Sequence, residues 1–306
     1  MALGSDDVSL LDAERLAAQD QVSVWGTLLD SLLHNMPALV SAAFILILAL
    51  VALFAPIVAP HNPLKGYMDG LTLQGAPLPP GGHFLLGTDE NGRDVLSRMI
   101  YGARVSLIIG VIANGIAMVI GVFIGMVAAY FGGWVDLVLM RFTDIVMAFP
   151  ILLLAIALIA VTGPSMGNII LVISLIYWTY IARIIHGMVL SLKEREFVTA
   201  TRTLGVGSWR ILVKHILPHL SSAIIVYSSL GVATTILLEA SLSYIGIGVP
   251  IPTPSWGNMI AEGQNIYQEA PWLLIFPGIA LVMTVLAFNL IGDWLRDALD
   301  PMQEGR

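Results

Sequence analysis

The sequence predicts an all-α membrane protein of six transmembrane helices, and three observations carry that prediction. Hydrophobic residues fill 57% of the 306 positions and charged residues only 11%, far from the balance of a soluble domain. Six apolar runs approach the length of about 20 residues that a helix needs to cross the hydrocarbon core. Basic residues fall mainly in alternate loops, as orientation in a membrane requires. Backbone in lipid must satisfy its own hydrogen bonds, so the runs are read as helices and a soluble α/β enzyme is nearly excluded. Cysteine is absent, which removes disulfides and thiolate metal sites and leaves the redox compartment unreadable.

The chain opens with an acidic tail, 1–34, in which Asp6, Asp7, Asp12, Glu14, Asp20 and Asp30 face a single Arg15 and account for most of the net charge of −7. Solvation explains such a surplus, and no nucleic-acid partner is expected. The tail lacks the short basic start of a cleaved signal peptide, so the first run, 36–59, is expected to stay as an anchor. The 60–103 segment is turn-rich at first, with Pro60-His61-Asn62-Pro63 and a Pro/Gly cluster at 77–82. Asp94, Leu96, Met99, Ile100 and Ala103 then recur at helical intervals, predicting an amphipathic piece on the membrane surface before the second span. Runs 105–130 and 145–162 are uninterrupted, the first carrying Gly121 and Gly125, the second Pro150. Run 169–190 meets Arg183 and His186 late, which puts its last turns at or beyond the interface. Run 220–248 holds Glu239, and 270–291 closes the set.

Orientation follows from the cations. With the N-terminus inside, Arg15, Arg141, Arg183, Lys193, Arg195, Arg202, Arg210, Lys214, Arg296 and Arg306 are cytoplasmic, against Lys65, Arg93, Arg98 and Arg104 outside. That split of 10 to 4 places both termini and the 191–218 loop in the cytoplasm. Asp89, Glu90 and Asp94 offset the outer arginines.

Several side chains invite a chemical reading. His215 and His219 have the spacing of a zinc pair on one helix face, but Pro218 lies between them and no Glu follows His215, so interfacial polar residues are expected. His61 and His83 share the outer loop without a metal-ligand pattern. Glu239, a carboxylate within a span, is either part of a proton relay or substrate contact, or a hydrogen-bonded support near a helix end; the second is favoured. Arg141 and Asp144 read as an interfacial ion pair, and Gly121 and Gly125 as a close contact within this subunit's own bundle. Trp134, Trp178, Trp256, Trp272 and Trp294 fit an interfacial aromatic belt. No Gly-x-x-x-x-Gly-Lys-Ser/Thr loop, Gly-x-Ser-x-Gly elbow or His-Glu-x-x-His helix occurs, so no ATP site or catalytic residue is assigned.

The most informative stretch is the polar insert from Glu196 to Gly205, followed by Leu217-Pro218. Gly205 supplies the left-handed conformation that ends a helix, and Ser208 can cap the next one, giving a helix–turn–helix that projects from the membrane. It resembles the cytoplasmic loop of bacterial ABC-importer permeases, whose pattern reads Glu-Ala-Ala, three residues, Gly, nine residues, Ile, one residue, Leu-Pro. Ala200, Gly205, Leu217 and Pro218 coincide with that pattern, while Thr199, Thr201 and His215 stand where it has Glu, Ala and Ile. Four further stretches, at 86–98, 242–248, 252–257 and 292–301, resemble the C-type permease subunits of dipeptide, oligopeptide and nickel importers.

That resemblance implies a type I ABC-importer permease fold in a bacterial or archaeal inner membrane. The permease core spans 104–298, the anchor helix and outer loop 35–103, and a short cytoplasmic tail 299–306. It also implies the partners: a second homologous permease, two ATP-binding cassette subunits that hold ATP and Mg, an extracytoplasmic substrate-binding protein, and a small peptide or related solute. The coupling residues it points to are Glu196, Thr199, Ala200, Arg202, Leu204, Gly205, Arg210, Leu217 and Pro218, with Glu196 one turn from the family's acidic position. Nickel, glutathione and oligosaccharide stay open as cargo. A stand-alone secondary transporter, to which only Glu239 points, is the alternative of another class.

Overall fold

A computed structural model describes residues 24–299. The acidic residues at 6–20, Arg15 and Arg306 therefore lie outside the described residues. Helix α1 (Val24–His34) lies in the expected tail; α2 (Met36–Leu53) follows at once, its first turn capped by Asn35, whose Oδ1 accepts from Ala38 N at 3.1 Å. A short α3 (Ala55–Val58) leads into the outer loop. That loop is held by isolated antiparallel bridges, Leu71 to Pro77, Gly81 to Phe84 and Thr88 to Asp94.

Helix α4 (Val95–Phe131) has 37 residues, about 55 Å at 1.5 Å per residue, which exceeds the hydrocarbon thickness of about 30 Å. The amphipathic piece expected at 94–103 is thus no separate surface helix. It is the first part of α4, continuous with the second span because nothing after Asp94 breaks the backbone. Asp94 starts the helix by accepting from Ser97 N at 2.9 Å and Ser97 Oγ at 2.6 Å.

Gly132 (φ 65°) and Gly133 (φ 52°) turn the chain into α5 (Gly133–Met147), and α6 (Ile151–Thr162) follows at a 90° bend. The straight third span expected at 145–162 is therefore a broken one. Pro150 lacks an N–H and disfavours helical backbone at Phe149, so the helix stops and restarts there. At about 18 Å, α6 alone is too short to cross.

Helix α7 (Met166–Leu192) returns; α8 (Glu196–Thr203) forms the polar insert; α9 (Ser208–Ile211) passes through a π turn (Leu212–Ile216) into α10 (Leu217–Tyr244). After α11 (Trp256–Gln264), α12 (Trp272–Ala298) closes the described chain. Among the described residues five helices are long and apolar enough to span, and the total is six if the bent α5–α6 pair is one span.

The core is organised by α4 against α7. A Cβ on Gly121 would sit 2.7 Å from Trp178 O, and one on Gly125 2.6 Å from Ala182 O, so these glycines let two backbones approach within the subunit. Around the contact Met126, Tyr130, Ile181, Ile185 and Val189 are buried in one cluster that continues into Val198, Ile211 and Ile216. Mid-membrane polar groups close on backbone: Asn114 Nδ2 donates to Ser228 O at 2.8 Å, Ser174 Oγ to Ile170 O at 2.6 Å, and Thr235 Oγ1 to Gly110 O at 2.9 Å. Large exposed side chains such as Val119, Val161 and Val282 are apolar, as lipid contact requires.

Two of the five tryptophans leave the expected belt. Trp178 is buried and stacked on Phe142 at 6.1 Å, and Trp256 is buried with Nε1 donating to Met99 O at 3.2 Å. Trp178 lies in the middle of α7 and Trp256 at the start of α11, and other helices cover the turns around both.

The outer arginines form a buried network. Asp89 Oδ2 accepts from Arg93 Nε at 2.6 Å and faces Arg98 Nε at 3.3 Å, while Glu262 Oε2 on α11 accepts from Arg93 Nη2 at 3.1 Å and Arg98 Nη2 at 2.7 Å. Glu262 takes the place expected for Glu90, which is exposed, and Asp94 serves as helix cap. The Arg98 side chain is only 1% exposed, so removing it leaves Asp89 and Glu262 to share Arg93 alone at a largely buried site. Arg98→Leu is expected to cost about 3–5 kcal/mol, read as a lower thermal midpoint of the detergent-solubilised chain; an unchanged midpoint would show that the network carries no stability.

Candidate coupling site

The insert between α7 and α10 is polar except for a few residues, and those few fix its position. Phe197 and Val198, adjacent in α8, turn inward with Val206: Val198 is fully buried, and Phe197 and Val206 pack on the same cluster as Tyr130 and Ile185. Phe197 also stacks on His219 at 4.8 Å. Lys193 Nζ donates to Ala129 O at 2.9 Å, tying the end of α7 to the end of α4.

The C-terminus of α8 closes in a double hydrogen-bonded turn. Gly205 N donates to Arg202 O at 3.0 Å and Val206 N to Thr201 O at 3.3 Å, with Gly205 at φ 76°. This is the Schellman arrangement, in which a left-handed residue just past the helix lets the next two N–H groups satisfy the last carbonyls. The next helix starts differently from expectation. Gly207 is its N-cap and no side chain caps it; Ser208 is the first helical residue, with its backbone already inside the turn.

Of the nine sequence-predicted residues, Glu196, Thr199, Ala200, Arg202, Leu204, Gly205, Arg210 and Pro218 are exposed, and Leu217 is half-buried. Leu204, 82% exposed, is an apolar side chain at the tip of a polar loop. Glu196 opens α8, where a carboxylate complements the helix dipole. Arg202 leans over the Tyr130 ring at 5.5 Å, which fixes its stem while its charge faces solvent. Trp209, 56% exposed, lies beside Phe131 at 5.8 Å.

Pro218 sits in the first turn of α10, directly after the π turn, so α9 runs into α10 without the clean break of a helix–turn–helix. His215 and His219 do not converge on one site: His219 Nδ1 donates to His215 O at 2.7 Å. The Arg141–Asp144 pair is present at 3.8 Å, but Arg183 of α7 is the closer partner of Asp144, and His186 Nε2 lies 2.7 Å from Asp136 Oδ1. Asp144 and Asp136 of α5 thus hold Arg183 and His186 of α7.

Glu239 lies apart from all of this, buried between α4 and α10. Ser106 Oγ donates to Oε2 at 2.9 Å and Ser243 Oγ to Oε1 at 2.7 Å. Ser106 stands on another helix, which links the carboxylate to the α4 contact.

Sequence reasoning missed the anchors Phe197, Val198 and Val206. The available signal was their apolar character within an otherwise polar stretch. Val198→Asp would place an unpaired charge in the cluster and is expected to detach α8, read as several-fold faster tryptic cleavage after Arg195 and Arg202 in inside-out vesicles. Wild-type protection would mean that α8 is held by something other than this cluster.

Comparison with known proteins fits this geometry. The family described as "binding-protein-dependent transport system inner membrane component" matches residues 121–304, and the "N-terminal TM domain of oligopeptide transport permease C" matches residues 23–80. The chain is 40% identical to the dipeptide transport system permease protein DppC of Alkalihalophilus pseudofirmus, over 92% of this chain and 90% of that protein. It is also 40% identical to the glutathione transport system permease protein GsiD of Shigella boydii and of Escherichia coli O157:H7, over 97% of each. With these matches and five to six candidate spans among the described residues, the chain belongs to the binding-protein-dependent inner membrane component family: it is a multi-pass C-type permease subunit of an ABC importer, with the type I permease fold.

Proposed function

We propose that this permease subunit forms half of the pathway of an importer for di- or oligopeptides and couples to an ATPase subunit through the 194–218 loop. The observation that carries the coupling role is the exposed, Schellman-closed α8, anchored from beneath by Phe197 and Val198. In this reading Ala200 and Leu204 supply apolar contact, Gly205 the turn, and Arg202 and Arg210 charge for an acidic surface on the partner. ATP and Mg²⁺ are held by two ATP-binding cassette subunits, a homologous permease supplies the other half of the pathway, and an extracytoplasmic binding protein delivers cargo. Closure of the ATPases on ATP tilts the spans between inward-facing and outward-facing arrangements as a rigid-body switch. The basic-residue asymmetry supports cytoplasmic termini. Peptide cargo is supported by the similarity to a dipeptide permease; similarity to glutathione permeases, whose cargo is itself peptide-like, supports the same chemical class.

Gly205→Val forces a β-branched residue into the left-handed region, at a cost of about 1–2 kcal/mol in this turn. It is expected to abolish ATP-coupled dipeptide uptake while the protein still inserts and accumulates in the membrane; normal uptake would remove the docking argument. Exchange of charge at Glu196 tests the electrostatic contact. Glu196→Arg should slow uptake, and the reciprocal Arg→Glu change on the facing ATPase surface should restore it. Failure of every such pairing would mean that Glu196 makes no ion pair across the interface.

A further inference from the structure

The break between α5 and α6 lies beside the middle of α7 and α10, and a cavity of about 470 Å³ opens there, lined by Phe149, Tyr177, Thr179, Tyr180, Tyr227 and Thr234 among others. Irregular backbone at membrane depth is tolerated where it lines a cavity, not where it faces lipid. The lining adds a second sign. Tyr177 and Tyr180 stack at 5.8 Å, and Tyr180 is 47% exposed. Buried hydroxyls elsewhere in the bundle, such as Ser174 and Thr235, return hydrogen bonds to backbone carbonyls. The Tyr180 and Tyr227 hydroxyls have no such partner among the described residues, a costly arrangement against hydrocarbon but an ordinary one against water or a solute.

We propose that this cavity is the subunit's solute-contact site, an aromatic and hydroxyl-lined surface that takes amide-bearing solutes of the peptide class as they pass. The proposal rests on the peptide-importer reading above for its cargo, and on the cavity alone for its place on the path. Ring faces accept side chains of many shapes, and tyrosine and threonine hydroxyls both donate to and accept from peptide groups. The lining residues carry no fixed charge, so contact is weak and independent of peptide sequence. A pathway site must release what it binds.

The chain contains no cysteine, so single Tyr180→Cys, Tyr227→Cys and Thr234→Cys variants can be labelled without background on this chain in the assembled importer in nanodiscs. The probe is the charged reagent methanethiosulfonate ethyltrimethylammonium; Val119→Cys and Val282→Cys, on exposed apolar faces of α4 and α12, are the controls. Cavity variants are expected to label at least about tenfold faster than controls, because a thiol in hydrocarbon does not ionise. Saturating alanyl-phenylalanine is expected to slow that labelling at least about threefold by occupancy. Labelling at control rates would overturn the proposal, placing this face against lipid or a partner helix. Fast labelling that ignores the dipeptide would overturn the assigned solute class.

Should a cysteine variant fail to assemble, Tyr180→Phe and Tyr227→Phe keep the rings. Each is expected to raise the KM for alanyl-phenylalanine uptake about fivefold, the loss of one neutral hydrogen bond, with binding-protein-stimulated ATP hydrolysis retained. An unchanged KM in both overturns the site. A wild-type importer that takes up no alanyl-phenylalanine overturns the peptide reading itself, and is seen before any variant is made.

Discussion

Close approach of α4 and α7 at Gly121 and Gly125 is the contact on which the half of the molecule that carries α8 depends. No hydrophobic force separates protein from lipid tails inside a bilayer, so helices associate through dispersion and through the backbone proximity that small residues permit. With no room for a Cβ at either position, the facing turns of α7 lie directly against the backbone of α4. Tyr177, Tyr180, Arg183 and His186 leave α7 from the turns that make or border that contact, and Lys193 reaches back to the last turn of α4. Their directions follow from one helix pair.

The other end of α4 is fixed by a different physics. Beyond the hydrocarbon layer the helix enters a folded loop, where the stems of Arg93 and Arg98 are covered and their charges answered by Asp89 and Glu262. Two cations and two anions share this site, so removing either carboxylate leaves a buried guanidinium short of charge. Nearby, Gly257 lets α11 approach α10 so closely that a Cβ would lie 2.5 Å from Ala240 O, and Trp256 Nε1 bonds to α4 at Met99. The stretches at 86–98 and 252–257, which carry much of the family resemblance, are thus packing and charge elements of one joint at the Val95 end of α4.

Much of this was legible in the sequence, for reasons that also mark where legibility ended. Hydropathy reports length and composition, so the number of spans was readable. It is blind to direction, and the 90° turn at Pro150 was hidden inside an apolar run. A glycine at the end of a short polar helix has one common use, so the turn at Gly205 was readable from its neighbours. Ser208 looked equally suited to its cap, but Gly207 takes that position one residue earlier. Contacts between distant segments were unreadable in principle: Glu262 meets arginines 164 and 169 positions away, and Ser106 meets Glu239 across 133. The same blindness misplaced Trp178 and Trp256, since a tryptophan is interfacial only if no other helix covers it.

Helix α8 has no span of its own and hangs from both sides of the bundle through a single apolar cluster. On one side it follows α7 directly, with only Lys193 to Arg195 between them. On the other it reaches α10 through α9 and the π turn, where Leu217 N bonds to Leu212 O and the ladder is widened by one residue. Widening gives Pro218 room, since its ring would otherwise press on the carbonyl four residues back and its missing N–H would leave that carbonyl unpaired. The Leu-Pro element therefore marks a joint in a continuous helix, not a helix start. Because Val198, Ile211 and Ile216 share one cluster, α8 cannot be displaced without either carrying those spans along or exposing buried apolar surface.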